Sequence, residues 1–581
     1  MTVQTWRPVL SRGPMPPVVR MVCGVLLAGW TLLRVRGQGP GNPFYAASAW
    51  SATKDAQAWF FGSVDPQSTI TIDKPPLLIW VLGASCRLFG FSAASLVLTQ
   101  TAIGVCATVL VYLIGRRVTG WVPASIGAGV FLLTPVNALV FGYTNPDVEL
   151  TALACAALYA AVRAVQERST WWTAAVGASL GLAFLTKMLQ GLVIVPALTV
   201  GLFLALPGLR ARLYAIGAAA AGAAAPVVLY LLGWSVPWPH RPYIGGSPND
   251  SFLGLVLGYN GLSRVVGRSA PVVTAPVATA PTPPASSAVP TMDIGPGVAG
   301  PARLLLGEFG QEVGAAVLLG VVCLAVLARP ACWARWRRDP GAMLLLATSA
   351  TWFVSYGALL SGMRGIIHPY YATLLTPAIA LLVAQALEPA VASPGDATHL
   401  RRADRLRAST WMLTLAGSLL MVPAWFTATT TTHYGVNPSI RQAPQTQDPW
   451  STGDAAHRYP PAFTARLSND ATSWPAVLNG ARQAADLQLA IRRPVLPLGG
   501  FNGYDPAPTL RSFQTQVATG NVHYYIPATG RGANPAPDPW WDPGRHGPSQ
   551  AQAIDSWIRH TYRPTQVDGV EVYDLAHAPR R

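Results

Sequence analysis

The chain has 581 residues, of which 51% are hydrophobic and only 11% charged, with a formal net charge of +16 and a mean hydropathy of +0.33. Soluble globular chains carry roughly 25% charged residues, so this one cannot enclose its apolar surface in a single water-soluble core. The basic excess is dispersed over short arginine groups, which argues against a nucleic-acid partner, whose footprint is a contiguous basic face.

Crossing the hydrocarbon takes about 20 apolar residues per helix, and only a helix satisfies its own backbone there. Such runs fall near 18–34, 94–115, 121–141, 149–166, 171–188, 189–206, 213–234, 312–328, 342–361, 370–388 and 409–427, about 11 spans. The segment 76–89 is apolar but too short to cross, and is expected to lie at the interface or to re-enter. Arg7, Arg12 and Arg20 precede the first span as they would a signal peptide. Arg34, Arg36 and a large polytopic body follow it, so an uncleaved first span is expected.

Basic residues favour the cytoplasmic side of short loops. Alternate loops carry Arg116 and Arg117, Arg163 and Arg168, Arg210 and Arg212, then Arg329, Arg335, Arg337 and Arg338, and last Arg401, Arg402, Arg405 and Arg407. The alternation puts the N-terminus in the cytoplasm and everything after about residue 428 outside. The six cysteines lie in or beside apolar segments, and neither a disulfide framework nor a CxxC metal pair is implied.

Residues 269–301 are rich in Pro, Ala, Thr and Ser and nearly uncharged, so they are expected to form a mobile outer loop. Beyond 428, an apolar-periodic helix near 475–491 leads to a strand at 495–499. A helix near 508–519 leads to a strand at 522–526, and a helix near 548–560 precedes VEVYDL at 570–575. The fold class expected is mainly α: a polytopic transmembrane domain over 1–427, followed by a small extracytoplasmic α/β domain over 428–581 with a mostly parallel sheet.

Polar residues gather in the outer loops. The first holds Asp55, Asp65 and Asp73-Lys74-Pro75-Pro76; the second holds Asn145, Asp147 and Glu149; the third is TKMLQG with Lys187. The fourth begins WPHRPYIGG with Arg241 and Tyr243, and the fifth is SGMRGIIHPYY with Arg364, His368, Tyr370 and Tyr371. Lys54, Lys74 and Lys187 are the only lysines in the chain, and all map to the side that basic residues avoid. A compact ammonium at a membrane surface suits a phosphate, although Lys74 and Lys187 could instead snorkel to headgroups. An unpaired charge near lipid costs about 2.5–3.5 kcal/mol, so acids beside lysines at one interface point to a task or a partner.

In this order FFGS-D-P, DKPP, NPD, TKMLQ, RPYIGG, GYNG and HPYY, with the stretch at 494–510, resemble the GT-C class of membrane glycosyltransferases. Within that class the chain is similar to protein O-mannosyltransferase and lipid A aminoarabinose transferase relatives, and most to a bacterial mannosyltransferase group with an exported C-terminal domain. The resemblance implies sugar transfer from a polyprenyl-phosphate donor, mannose or another hexose or else a pentose, to an extracytoplasmic protein, glycolipid or wall polymer, with inversion. An acid would act as general base, and cations would stabilise the departing phosphate. Lys74, Lys187 and Arg364 are candidates for the phosphate clamp, with His368 assisting. Tyr370 and Tyr371 would line the sugar or prenyl path, while Arg241 and Tyr243 belong to a turn that covers the donor site or is purely structural.

Many relatives carry an acidic pair just after the first span, where this chain has Gly41-Asn42-Pro43-Phe44-Tyr45. The base is therefore sought in Asp147 and Asp73, ranked above Asp65. Asp147 could instead cap its helix, and Asp73 could be only the ion partner of Lys74. Asp55 and Glu149 read as solvated or structural. No cofactor is required; two acids could hold a divalent cation through water, but no loop offers an obvious metal site. The setting implied is a bacterial plasma membrane, with the bilayer and the lipid-linked donor as partners. A transporter is the alternative, but it would place ionisable groups on broken helices at mid-membrane and show repeats, which this sequence does not. A single-anchor receptor would need only one span.

Overall fold

The computed structural model describes residues 41–235, 240–262, 299–329, 336–365, 367–391, 459–501, 503–527 and 548–577, with a few single positions elsewhere. The expected spans at 18–34 and 409–427, nearly all of 269–301, and the proposed domain boundary at 428 lie outside these stretches.

Among the described residues seven helices are long and apolar enough to cross a membrane: Ala93–Thr119, Pro146–Glu167, Thr170–Leu192, Gly208–Gly233, Gly307–Leu327, Pro340–Gly362 and Pro369–Glu388. Three shorter apolar helices, Leu77–Phe89, Trp121–Leu133 and Val195–Ala205, accompany them. The run expected as one span at 121–141 is two helices, because Pro135 has no N–H to continue the first, and Pro135–Val140 starts afresh. Hydropathy does not report position in the bundle. The Pro369–Glu388 segment is 94% buried and Gly208–Gly233 only 11%, so the first is enclosed by its neighbours and the second presents most of its surface outward.

Helix 208–233 packs on helix 170–187 through small residues. A Cβ on Gly177 would stand 1.8 Å from the Ala219 carbonyl oxygen, and one on Gly181 2.4 Å from that of Ala223. Where lipid removes any hydrophobic incentive to associate, such backbone approach supplies the van der Waals contact that holds two helices together.

The first long loop is itself folded. Helix Pro43–Lys54 is capped by Asn42, and Asp55 caps Ala56–Phe61 by accepting the Ala58 N–H at 2.7 Å. The expected interfacial segment is the helix Leu77–Phe89.

The C-terminal domain is a five-stranded sheet in the order β2-β1-β3-β5-β4, with β1 Trp474–Asn479, β2 Val495–Leu498, β3 Val522–Tyr525, β4 Pro564–Val567 and β5 Val570–Asp574. β1 is parallel to β2 and β3, whereas β5 is antiparallel to β3 and β4. The sheet is thus mixed rather than mostly parallel. The helix expected at 475–491 begins only at Ala481, since Gly480, at φ +82, separates it from central strand β1. WPAVLN is a buried strand, and a continuous apolar run does not distinguish strand from helix. Pro475 is tolerated because pairing with β2 begins only at Ala476.

This domain is seated on the membrane module. Ala481 and Ala507 are buried in one cluster with Phe44, Ile70, Ile72 and Tyr243, and the Phe501 ring meets Phe44 edge-on at 4.8 Å. Gln488 Nε2 donates to the Val64 carbonyl at 2.9 Å and to Ser51 Oγ at 3.2 Å.

Candidate active site

The segment from Gly62 to Ile72 doubles back on itself. Val64 N–H donates to the Ile70 carbonyl and Ile72 N–H to the Gly62 carbonyl, both at 2.9 Å. Asp65 makes the turn: its carboxylate accepts the Gln67 N–H at 3.0 Å, the Thr69 N–H at 3.2 Å and the Thr69 hydroxyl. Burial pushes the Asp65 carboxyl up to about 6, against these hydrogen bonds, which lower it. Asp65 therefore has a local structural task. On the far side, Thr71 N–H donates to the Tyr243 carbonyl and Tyr243 N–H to the Thr69 carbonyl, at 2.9 and 3.0 Å. RPYIGG is thus laid alongside as a third strand-like edge.

This small hairpin delivers Asp73 and Lys74. Lys74 Nζ lies 2.8 Å from Asp73 Oδ2, and both side chains are almost fully buried. Asn260 of GYNG donates to the Asp73 carbonyl at 2.8 Å and also lies 3.7 Å from Met188 Sδ, the neighbour of Lys187. One asparagine therefore links the first ionic pair to the segment that carries the second.

The second pair is Asp147 with Lys187. Asn145 caps the helix Pro146–Glu167 by accepting the Asp147 N–H at 2.7 Å. The Asp147 carboxylate is consequently not the cap. Both of its oxygens lie 2.9 Å from Lys187 Nζ at the end of helix 170–187, and neither side chain is more than 5% exposed. The ammonium sits 4.3 Å from the centroid of the Tyr371 ring and 5.9 Å from that of Tyr370. His368 stacks on Tyr370 at 5.0 Å, and the Tyr356 hydroxyl donates to the Tyr371 carbonyl at 3.0 Å. HPYY thus forms an aromatic wall against Lys187.

The remaining candidates lie elsewhere. Arg241 is held by Asp250 through two hydrogen bonds of 3.0 and 2.8 Å, above the Trp234 ring at 4.8 Å. The Tyr243 hydroxyl donates to the Ser247 carbonyl at 2.7 Å and accepts the Asp250 N–H at 3.0 Å. Both residues shape the RPYIGG turn. Arg364 is exposed, and its backbone N–H donates to the Val265 carbonyl at 3.1 Å. Asn42 donates its N–H to Thr144 Oγ1 at 2.7 Å and so lies beside the NPD motif.

Residues that sequence reasoning passed over also belong here. Asn260 and Gln190 lie in the GYNG and TKMLQ motifs without having been assigned a role, and Tyr356, whose hydroxyl accepts from Gln190 Nε2 at 3.3 Å, is marked only by its placement. Glu149 is buried rather than solvated, with Gln100 Nε2 3.3 Å from its Oε1. Among the described residues, no group of three His, Cys, Asp or Glu converges as a metal site.

The arrangement offers two carboxylate–ammonium pairs joined through Asn260, one of them backed by aromatic rings. A carboxylate so placed can take a proton, and an ammonium can hold a phosphate oxygen.

Residues 73–234 match the family model described as "Dolichyl-phosphate-mannose-protein mannosyltransferase". Residues 464–561 match the one described as "Putative mannosyltransferase YkcB-like, C-terminal". The chain is similar to "Putative mannosyltransferase YkcB" of Bacillus subtilis (strain 168), 32% identical over 231 residues, covering 39% of this chain and 32% of that protein. It is also similar to "Putative mannosyltransferase YycA" of the same organism, 29% identical over 238 residues, covering 39% of this chain and 34% of that protein. The chain spans about a third of the length of these curated relatives. In fold it is similar to ArnT from Cupriavidus metallidurans bound to undecaprenyl phosphate, with a TM-score of 0.54 at 16% identity over 96% of this chain and 99% of that one.

Proposed function

We propose, from the chain's place in the GT-C mannosyltransferase-like family, that it transfers a sugar from a polyprenyl-phosphate donor to an extracytoplasmic hydroxyl acceptor. The observation that carries this reading is the buried Asp147–Lys187 pair, linked through Asn260 to Asp73–Lys74.

Asp147 is the general base. It takes the proton of the acceptor hydroxyl as that oxygen attacks the anomeric carbon. The carbon–oxygen bond to phosphate breaks on the opposite face, polyprenyl phosphate leaves with the electron pair, and the configuration inverts. Lys74 and Lys187 meet the charge that grows on the departing phosphate, where a preorganised cation contributes most. Lys187 holds both oxygens of Asp147. An arriving phosphate competes for that ammonium, so donor binding is what releases the carboxylate to act as base. Asp73 is the reserve candidate for the base. Asp65 has lost ground to both, since its oxygens are occupied by the turn it makes.

The sugar is mannose or another hexose, with a pentose as the alternative, and the acceptor is a protein, a glycolipid or a wall polymer. The relatives' names favour mannose, and the undecaprenyl phosphate on the ArnT fold favours a lipid-linked donor. The reaction needs no cofactor. The alternation of basic loops supports a site and a C-terminal domain on the extracytoplasmic side of a bacterial plasma membrane.

The test is sugar release from labelled polyprenyl-phosphate donors by the protein in lipid nanodiscs, with membrane extract supplying the acceptor. Wild type should turn over. Asp147→Asn should lose about 10²–10⁴ in rate, the usual contribution of a positioned base, and Lys74→Ala should fall with it. Survival of Asp147→Asn alone moves the base to Asp73. Absence of turnover with every donor and acceptor extract rejects the proposal.

A further inference from the structure

One of the contacts by which the C-terminal domain reaches the candidate site is made by Asp505, held close to Gly499 and Gly500. Gly499, at φ +75, and Gly500, at φ +64, adopt backbone conformations that side chains disfavour. A Cβ on Gly500 would stand 1.8 Å from Asp505 Oδ2. Asp505 N–H donates to the Gly499 carbonyl at 3.0 Å. The loop is therefore built to fold the Asp505 carboxylate back upon itself and aim it at one place.

That place is the RPYIGG turn, where Asp505 Oδ2 accepts the Gly246 N–H at 2.8 Å. The next N–H, of Gly245, donates to Thr71 Oγ1 at 3.0 Å. Thr71 N–H returns to the Tyr243 carbonyl at 2.9 Å, and Ile72 N–H closes the hairpin on the Gly62 carbonyl at 2.9 Å. Asp73 and Lys74 follow directly. Hydrogen bonds together with covalent neighbours thus lead from the C-terminal domain to the Asp73–Lys74 pair. Gln488 grips the other arm of the same hairpin at the Val64 carbonyl.

We propose that Asp505 is a positioning residue for the Asp73–Lys74 pair, and that the C-terminal domain is a working part of the donor site rather than a tethered appendage. Its role in catalysis rests on the reading of Lys74 as a phosphate clamp. Asp505 touches no reacting atom; it fixes the turn against which the hairpin lies, and the hairpin fixes the lysine. Because Lys74 would act on the donor phosphate, a loosened hairpin should weaken donor binding and leave acceptor use unaffected.

The test compares full-length wild type with Asp505→Ala and Asp505→Asn in nanodiscs, by amide hydrogen exchange and by donor and acceptor KM. In Asp505→Ala, exchange should quicken at 243–246 and at 70–74, while the amides of β1 and β3 stay protected, showing that the domain remains folded. Donor KM should rise about three- to tenfold, part of what one hydrogen bond to a charged group is worth, with a smaller fall in kcat and an unchanged acceptor KM. Asp505→Asn, whose amide oxygen can still accept from Gly246, should recover most of both effects. Unchanged exchange at 70–74 in Asp505→Ala overturns the proposal, as does faster exchange with an unchanged donor KM. If wild type transfers no sugar, the reading of Lys74 fails, while the exchange data still decide whether the domain positions the pair.

Discussion

Breaking the Asp147–Lys187 pair tests the site without needing a substrate. With Asp147 fully buried and Lys187 5% exposed, removing either partner leaves an ionised group in a poorly solvated place. Such a change costs about 3–5 kcal/mol, whereas removing both charges together is often tolerated. The two single changes differ in a way the structure fixes. In Asp147→Asn the stranded ammonium keeps the Tyr371 ring at 4.3 Å, a contact worth up to about 2 kcal/mol when desolvated. In Lys187→Met the buried carboxylate loses both of its 2.9 Å bonds to Nζ. Lys187→Met should therefore be the more damaging single change. The double variant should lose less than either, so that the coupling amounts to about 3 kcal/mol or more. Thermal unfolding in nanodiscs, followed by tryptophan fluorescence, should rank wild type above the double variant, then Asp147→Asn, then Lys187→Met. Transfer should fall by about 10²–10⁴ in Asp147→Asn and in the double variant, because asparagine cannot accept the acceptor's proton, and should fall in Lys187→Met through loss of a cation for the departing phosphate. Losses that simply add in the double variant would refute the buried pair.

Two further outcomes follow from the packing and the hairpin. The Asp65 carboxyl, raised from its ordinary 3.8 to about 6 by burial, holds its proton more tightly folded than unfolded. Stability should therefore fall as pH rises from about 4 to about 6, by up to about 3 kcal/mol; urea unfolding across that range should show this slope in wild type and not in Asp65→Asn, and a slope of opposite sign would exclude it. Gly177→Val should lower the melting temperature, with a cost of about 1–3 kcal/mol or more, because its Cβ would stand 1.8 Å from the Ala219 carbonyl oxygen. The same change at Gly217, where a Cβ meets nothing within 4 Å, is the control.

Much of the site could be read as a list but not as a set of pairs. DKPP puts Asp73 beside Lys74, and the ion partnership considered for them is present. Lys187 and Asp147 are 40 residues apart in the chain, and nothing local says they meet. Asn145, the first residue of NPD, takes the capping role that Asp147 might have filled. Arg241, whose turn the sequence leaves either covering the donor site or purely structural, is held by Asp250, nine residues on. The strand WPAVLN was taken for helix because a strand enclosed on both faces has no alternation to betray it.

The sequence by itself determined the membrane character, most of the helices and the order of the polar loops. These follow from composition and from runs of about 20 apolar residues, which are properties of a segment on its own. Only the tertiary structure decided that helix 369–388 lies inside the bundle and 208–233 at its surface, for both are apolar enough to span and lipid is as good a solvent for leucine as a neighbouring helix is. It alone decided which carboxylate meets which ammonium, and that Asp505 reaches Gly246 across 259 residues. Those are contacts between segments, and their energy belongs to no single stretch of chain.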